Sequence, residues 1–269
     1  RPGKLLQEQD ALSRPIVIGT QNRLPSQDGQ ELSTSIDRTL QFIAYQKLAN
    51  ALTRYGASAG TVTIMDPQSG QILAMVSLPN YDPASYWDYP PQSYSNPVIS
   101  NAYEPGSTFK VVVMSAALDS HVLSPATSGN ICSGPVSVSN YSIRTWNDKY
   151  FPQSTMTEVI QHSDNVGMVF VGRLLGKNKM IDYLKRFGYG SPTGVDLQEE
   201  GSAPLRPDKE WGDIDLATAS FGQGIAITPL QMLRAVSAIA NKGRLTTPRV
   251  AQDKSTSQGG GKQIISPAT

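Results

Sequence analysis

The scarcities of this chain narrow what it can be. Its 269 residues hold one cysteine, Cys132, and two histidines, His121 and His162. A single thiol excludes an internal disulfide framework and a cysteine-rich zinc site, and two histidines argue against a multi-histidine metal centre. No metal and no cofactor is expected, and Cys132 reads as a passive side chain. Charge is also sparse: 17% of residues are charged and the formal net charge is +1. There is no basic run and no Arg/Lys stripe, so nucleic acid is not expected as a partner. The longest apolar runs fall far short of the ~20 residues of a membrane-spanning helix. The chain opens at Arg1-Pro2-Gly3 without a leader-peptide pattern.

Turn formers, by contrast, are plentiful, with 23 glycines and 19 prolines, which predicts many loops. Residues 1–34 are polar and turn-rich and read as a linker or the remnant of a preceding domain, with Ile16-Val17-Ile18 as a candidate strand and 23–29 as a loop. From Ser35 the pattern sharpens. Leu40, Ile43, Ala44, Leu48, Ala51 and Leu52 recur at helical spacing, and Gly56 supplies the stop. Residues 61–65 and 71–76 then read as two strands around the turn Asp66-Pro-Gln-Ser-Gly70. Residues 79–102 interleave five prolines with Tyr81, Tyr86, Trp87, Tyr89 and Tyr94. That excludes regular structure and leaves a long ordered loop, whose aromatic rings either line a groove or pin the loop down. Short strands are expected around Val136-Ser-Val138.

Further on, Thr155-Met-Thr-Glu158 fits a capping box and opens a helix to Gln161. The polar run His162-Ser163-Asp164-Asn165 interrupts it, and Val166 to Leu175 resumes as a helix. Lys179 to Phe187 is another. Residues 188–215 read as loop-rich, with Glu199 and Glu200 solvated. Thr228 and Pro229 begin a helix that ends before Gly243. From Val250 the chain turns polar and Gly/Ser-rich through Ser255 to Gly261, and Ile264 to Thr269 shows no closing element.

The chemistry centres on Tyr103-Glu-Pro-Gly-Ser-Thr-Phe-Lys110 and the apolar run that follows it. Apolar on nearly every face, the run 111–118 reads as a helix inside a core, with Ser107 at or next to its N-cap. Lys110 stands at i+3 from Ser107, on the same helical face. Burial disfavours the charged amine, and a partly neutral amine beside a serine hydroxyl is a base beside a nucleophile. Alone, Ser-x-x-Lys is a weak signal. A polar trio held between two apolar helices strengthens it, because buried polar groups need partners.

Ser107-x-x-Lys110, Ser163-Asp-Asn165 and Phe221-Gly-Gln-Gly-Ile-Ala-Ile-Thr-Pro-Leu-Gln-Met232 together resemble the transpeptidase domain of a class B penicillin-binding protein. The resemblance covers roughly residues 24 to 269, and the 221–224 block leans toward the cell-division type. It implies an α+β penicillin-binding/serine β-lactamase-like fold, with an antiparallel sheet carrying helices on both faces and the domain occupying 35–269. It also implies a chemistry. Ser107 attacks the penultimate carbonyl of a D-Ala-D-Ala peptidoglycan stem peptide, and Lys110 accepts its proton. Ser163 relays a proton to the leaving D-Ala, Asn165 holds the substrate amide and Lys110, and Gly106, Asp164, Gly222 and Gln223 lie at the substrate. The same resemblance implies β-lactams as ligands and a glycosyltransferase and divisome proteins as partners. It sets the protein at the outer face of the bacterial cytoplasmic membrane, with its anchor outside this chain.

One part of the family signature is missing. No Lys-Thr-Gly or Lys-Ser-Gly occurs. In the family that strand lies C-terminal to everything seen here and supplies one oxyanion-hole N–H, worth on the order of 10²–10³ in rate. The chain is therefore expected to be an incomplete domain, C-terminal strands lacking, and weak or inactive by itself. Two other readings stand beside the transpeptidase: a class D-like serine β-lactamase, and a non-catalytic penicillin-sensing or scaffold module. A Ser-His-Asp hydrolase lacks its Gly-x-Ser-x-Gly elbow, and His121 and His162 read as loop or cap residues.

Overall fold

A computed structural model describes residues 2–29, 31–252 and 261–269. The chain forms two compact units, Arg1–Ser33 and Thr34–Thr269. The first is a small antiparallel hairpin, β1 (Lys4–Gln7) on β2 (Gln21–Leu24). The expected strand at 16–18 does not form: Val17 and Ile18 are 93% and 98% exposed at a turn. A three-residue apolar run has no periodicity to commit it, and the ladder goes to the flanking segments.

The second unit begins with helix α1 (Arg38–Tyr55) and the antiparallel pair β3 (Gly60–Met65) and β4 (Ile72–Leu78). Asp37 caps α1 by accepting from the Leu40 N–H, and Gly56 ends it at φ +62°. Ala44 and Leu48 of α1 meet Ala74 and Val76 on one face of the hairpin. The opposite side, through Met65 and Ile72, packs with Val98 and Ile99 of the short helix α2 (Pro97–Ser100) and with Leu230. Helices thus cover both faces, as expected. The outer edge of β4 is closed by side chains and loops. Gln41 both donates to the Met75 carbonyl (2.9 Å) and accepts from its N–H (2.8 Å), and the Ile72 N–H donates to the Arg249 carbonyl.

Residues 79–96 are the ordered loop that the prolines demanded, in two 3-10 turns, but the expected loop of 79–102 is not irregular throughout, because 97–100 form the short helix α2. Their rings chiefly contact one another: Tyr81 meets Tyr89 and Tyr94, and Tyr86 meets Trp87 and Tyr94. The Tyr94 hydroxyl also donates to the carbonyls of Tyr86 and Tyr89. The rings hold the loop together, and a cavity of about 420 Å³ remains between it and β4.

Helix α3 (Lys110–Asp119) runs through the largest core, with seven of its ten residues buried. Around it stand α5 (Asn165–Leu175), α6 (Lys177–Arg186) and α8 (Pro229–Ala240). Before them come the hairpin β5 (Val136–Val138) and β6 (Tyr141–Ile143), and α4 (Met156–Gln161), opened by the expected Thr155/Glu158 capping box.

Four expectations need correction. At the end of the loop-rich stretch 188–215 stands a helix that was not expected, α7 (Asp213–Ala219). Its two first-turn aspartates broke the apolar periodicity that would have announced it. Glu199 is exposed as expected, whereas Glu200 is half-buried and accepts from the N–H (2.6 Å) and hydroxyl (2.5 Å) of Thr193 and from the Gly194 N–H (2.9 Å), stapling its own loop. α6 begins at Lys177 rather than 179, with Gly176 at the junction with α5. The tail also closes: β8 (Lys262–Gln263) pairs with β7 (Arg244–Leu245), and Ile264 and Ile265 are buried. The Gly/Ser-rich stretch 255–260 lies outside the described residues.

Candidate active site

Ser107 does not cap a helix. It sits on a 3-10 turn, Gly106–Phe109, that leads into α3, and its side is exposed. In such a turn residues i and i+3 eclipse, so Ser107 and Lys110 still share a face. The turn is braced by the segment after α7. Tyr103 and Ile227 exchange backbone hydrogen bonds of 2.9 and 3.0 Å, the Gly224 N–H donates to Glu104 Oε1 (2.9 Å), and the Gly106 N–H donates to the Gly222 carbonyl (2.9 Å). Gly222 has φ +81°, and a Cβ there would stand 2.1 Å from the Gly106 carbonyl oxygen. Only glycine fits that approach.

Lys110 is 2% exposed, on the first turn of α3. Its ammonium is fully engaged: Nζ donates to the Ser163 carbonyl (2.6 Å), to Ser163 Oγ (3.1 Å) and to Asn165 Oδ1 (2.7 Å). Burial lowers its pKa from 10.5 to about 8, against the opposing pull of the Asp164 charge. A neutral fraction is thus available near physiological pH, and with it a lone pair. Ser107 Oγ makes no hydrogen bond among the described residues. Catalytic hydrogen bonds often tighten only when substrate is bound.

Ser163 lies in the corner between α4 and α5, at φ +53°. Asn165 is the first residue of α5, and its Nδ2 donates to the Arg144 carbonyl (3.0 Å). That bond turns Oδ1 toward Lys110. Asp164 was expected at the substrate, but it is 2% exposed and caps α5, accepting at Oδ1 from the N–H groups of Val166 (2.8 Å) and Gly167 (3.1 Å). Its charge reaches Lys110 and also Cys132. The Cys132 thiol is raised to about 12, by burial first and then by Asp164. Such a thiol is inert at neutral pH, in keeping with a passive side chain.

The structure therefore joins Lys110, Ser163 and Asn165 by direct bonds and sets Ser107 one turn before the lysine. Gly106 and Gly222 touch each other beneath Ser107, Gly222 being buried, while Gln223 is exposed on the same loop. His162 forms the C-cap of α4 and stacks on Phe151, with ring centroids 3.9 Å apart. Sequence reasoning missed Arg144 and Phe151. The first acts through a main-chain carbonyl, which any residue supplies, and the second through a contact that no spacing encodes.

Residues 60–269 match the family described as "Penicillin binding protein transpeptidase domain". The chain is 36% identical over 245 residues to Stage V sporulation protein D of Bacillus subtilis (strain 168), covering 91% of this chain and 38% of that protein. It is 32% identical over 243 residues to the peptidoglycan D,D-transpeptidase FtsI of Escherichia coli (strain K12), covering 90% and 40%. Among solved structures, the TP domain of Burkholderia pseudomallei penicillin-binding protein 3 superposes with a TM-score of 0.77 at 29% identity, over 87% of this chain and 66% of that one. The chain belongs to the penicillin-binding protein transpeptidase family, of class B as its motifs indicated. It spans about two fifths of the length of these curated relatives.

Proposed function

We propose that this chain carries the acyl-transfer site of a peptidoglycan D,D-transpeptidase. The carrying observation is the buried Lys110 amine, bonded at once to Ser163 and Asn165 and one turn from an exposed serine. In this reading neutral Lys110 takes the Ser107 proton as Oγ bonds to the penultimate D-Ala carbonyl carbon of a stem peptide. The scissile C–N bond then breaks, and the departing D-Ala amine receives a proton by way of Ser163, which already touches Lys110. An amine from a neighbouring stem peptide attacks the ester, giving the cross-link and returning the proton to Ser107. Asn165 orients Lys110 and the substrate amide, and Gln223 and the Gly222 loop border the substrate. A β-lactam enters by the same attack and stays as an ester.

The substrate implies work on the outer side of the cytoplasmic membrane, beside the glycosyltransferase and divisome proteins of a cell-division role. The test is intact mass after β-lactam treatment of the protein that contains these residues. One added drug mass on the peptide holding Ser107, lost in Ser107→Ala, supports the reading. A protein that gains no mass at saturating drug overturns it.

A further inference from the structure

Ser163 is a non-glycine residue in left-handed backbone, and such a conformation persists only where its surroundings over-determine it. Part of the restraint is local to α4: the Ser163 N–H donates to the Ile160 carbonyl (3.1 Å) and the Asp164 N–H to that of Val159 (2.9 Å). Two further contacts reach the corner from the segment after β6. At one end the Arg144 carbonyl accepts from Asn165 Nδ2 at 3.0 Å. At the other the Phe151 ring lies over the His162 ring, 3.9 Å between centroids and 9° from parallel. These contacts bracket Ser163 and Asn165 on either side.

We propose that segment 144–151 is a clamp on the Ser163–Asn165 corner, with Phe151 and His162 as positioning residues that hold Ser163 and Asn165 against Lys110. The segment is internally tied in a way that suits this. Ile143 and Thr145 are buried, the Thr145 hydroxyl donates to the Lys149 carbonyl (3.0 Å), and Asn147 Oδ1 accepts from the Lys149 N–H (3.1 Å). Ser154 Oγ donates to the Phe151 carbonyl (2.7 Å), fixing the backbone that carries the ring. Because the Asn165 Nδ2 is committed to a carbonyl, the other end of its amide must face the lysine. The charges facing this corner are Asp164, toward Lys110, and Glu158, toward His162. The clamp leaves both in place. Its catalytic consequence rests on the acyl-transfer reading of the same site, whereas the positioning itself can be measured without it.

The experiment follows the titration of Lys110 by NMR in isotope-labelled protein containing these residues, with the resonance assigned by its loss in Lys110→Met. Nζ is both buried and held by three oxygens, so loosening the corner shifts its titration midpoint, downward as those bonds are lost and upward as water enters. Phe151→Ala is expected to shift that midpoint by about half a pH unit, and Phe151→Tyr, which keeps a ring, to restore it. Should Phe151→Ala fail to fold, the exposed His162 offers the same comparison as His162→Ala against His162→Phe. A thermal midpoint that falls while the Lys110 titration stays fixed would reduce the stack to a purely structural contact and overturn the proposal. β-Lactam acylation is read in parallel and is expected to drop about tenfold in the alanine variants only. Wild-type protein that takes no β-lactam would defeat the acyl-transfer reading, and the Lys110 titration would still decide the clamp.

Discussion

Lys110 Nζ stands 2.7 Å from Asn165 Oδ1, two residues 55 apart in sequence. The bond joins the first turn of α3 to the first turn of α5, and Ser163 completes the lysine's shell from the corner before α5. Lys110→Met keeps the bulk and removes the base. Acylation by a β-lactam is expected to fall about 10²- to 10⁴-fold, the range for loss of a positioned proton acceptor, as measured with a fluorescent penicillin. An unchanged rate would remove Lys110 from the mechanism.

The same amine should set the pH dependence. Only the neutral form accepts a proton, and Lys110 titrates near 8. The acylation rate constant is expected to rise with pH to a midpoint of about 8 and to fall about tenfold per unit below it. Asp164→Asn keeps a capping oxygen for α5 and removes the charge that holds the proton on Lys110, so its midpoint should lie at lower pH. A midpoint that stays put would show that Asp164 acts on α5 alone.

Burial of Lys110 should also be visible in stability. The unfolded lysine keeps its proton to 10.5, and the folded one releases it near 8. Between those values the unfolded state binds more protons, so this group makes the fold more stable as pH rises through that window and adds no slope below it. The gap amounts to about 3 kcal/mol at 1.36 kcal/mol per pH unit. Denaturant unfolding of wild type and Lys110→Met across pH 8 to 10.5 should show the slope in the first and not in the second.

Gly222 offers a steric test. Gly222→Ala sets a Cβ 2.1 Å from the Gly106 carbonyl oxygen at φ +81°. The backbone conformation alone costs of order 1–3 kcal/mol in a non-glycine residue, and the clash must push the Ser107 turn aside. Acylation and thermal midpoint should both fall. Gly129→Ala is the control, since its nearest contact would be Ile131 at 3.8 Å, and both readouts should stay near wild type.

Much of this was legible in the sequence where a local rule acts alone. The Thr155/Glu158 box, the Gly56 stop and the Thr228-Pro229 opening of α8 each depend on a few neighbouring residues, and each formed where the spacing predicted. Ser107 and Asp164 show where local rules give out. Ser107 has the residue type of an N-cap, yet the backbone bonds from Gly222 and Ile227 hold that stretch as a 3-10 turn and leave the hydroxyl exposed. Asp164 sits in a motif and was read as a substrate contact, yet it is buried and its Oδ1 caps α5.

The sequence by itself determined that a serine and a lysine share one helical face at the head of an apolar helix. That follows from a spacing of three, which the 3.6-residue and 3.0-residue helices both honour. The tertiary structure alone decided how deeply the lysine is buried, how far its proton is loosened, to about 8, and that its Nζ donates to Ser163 and Asn165 across 53 and 55 residues. Burial and long-range bonds depend on which helices meet, and no local pattern of residues carries that information.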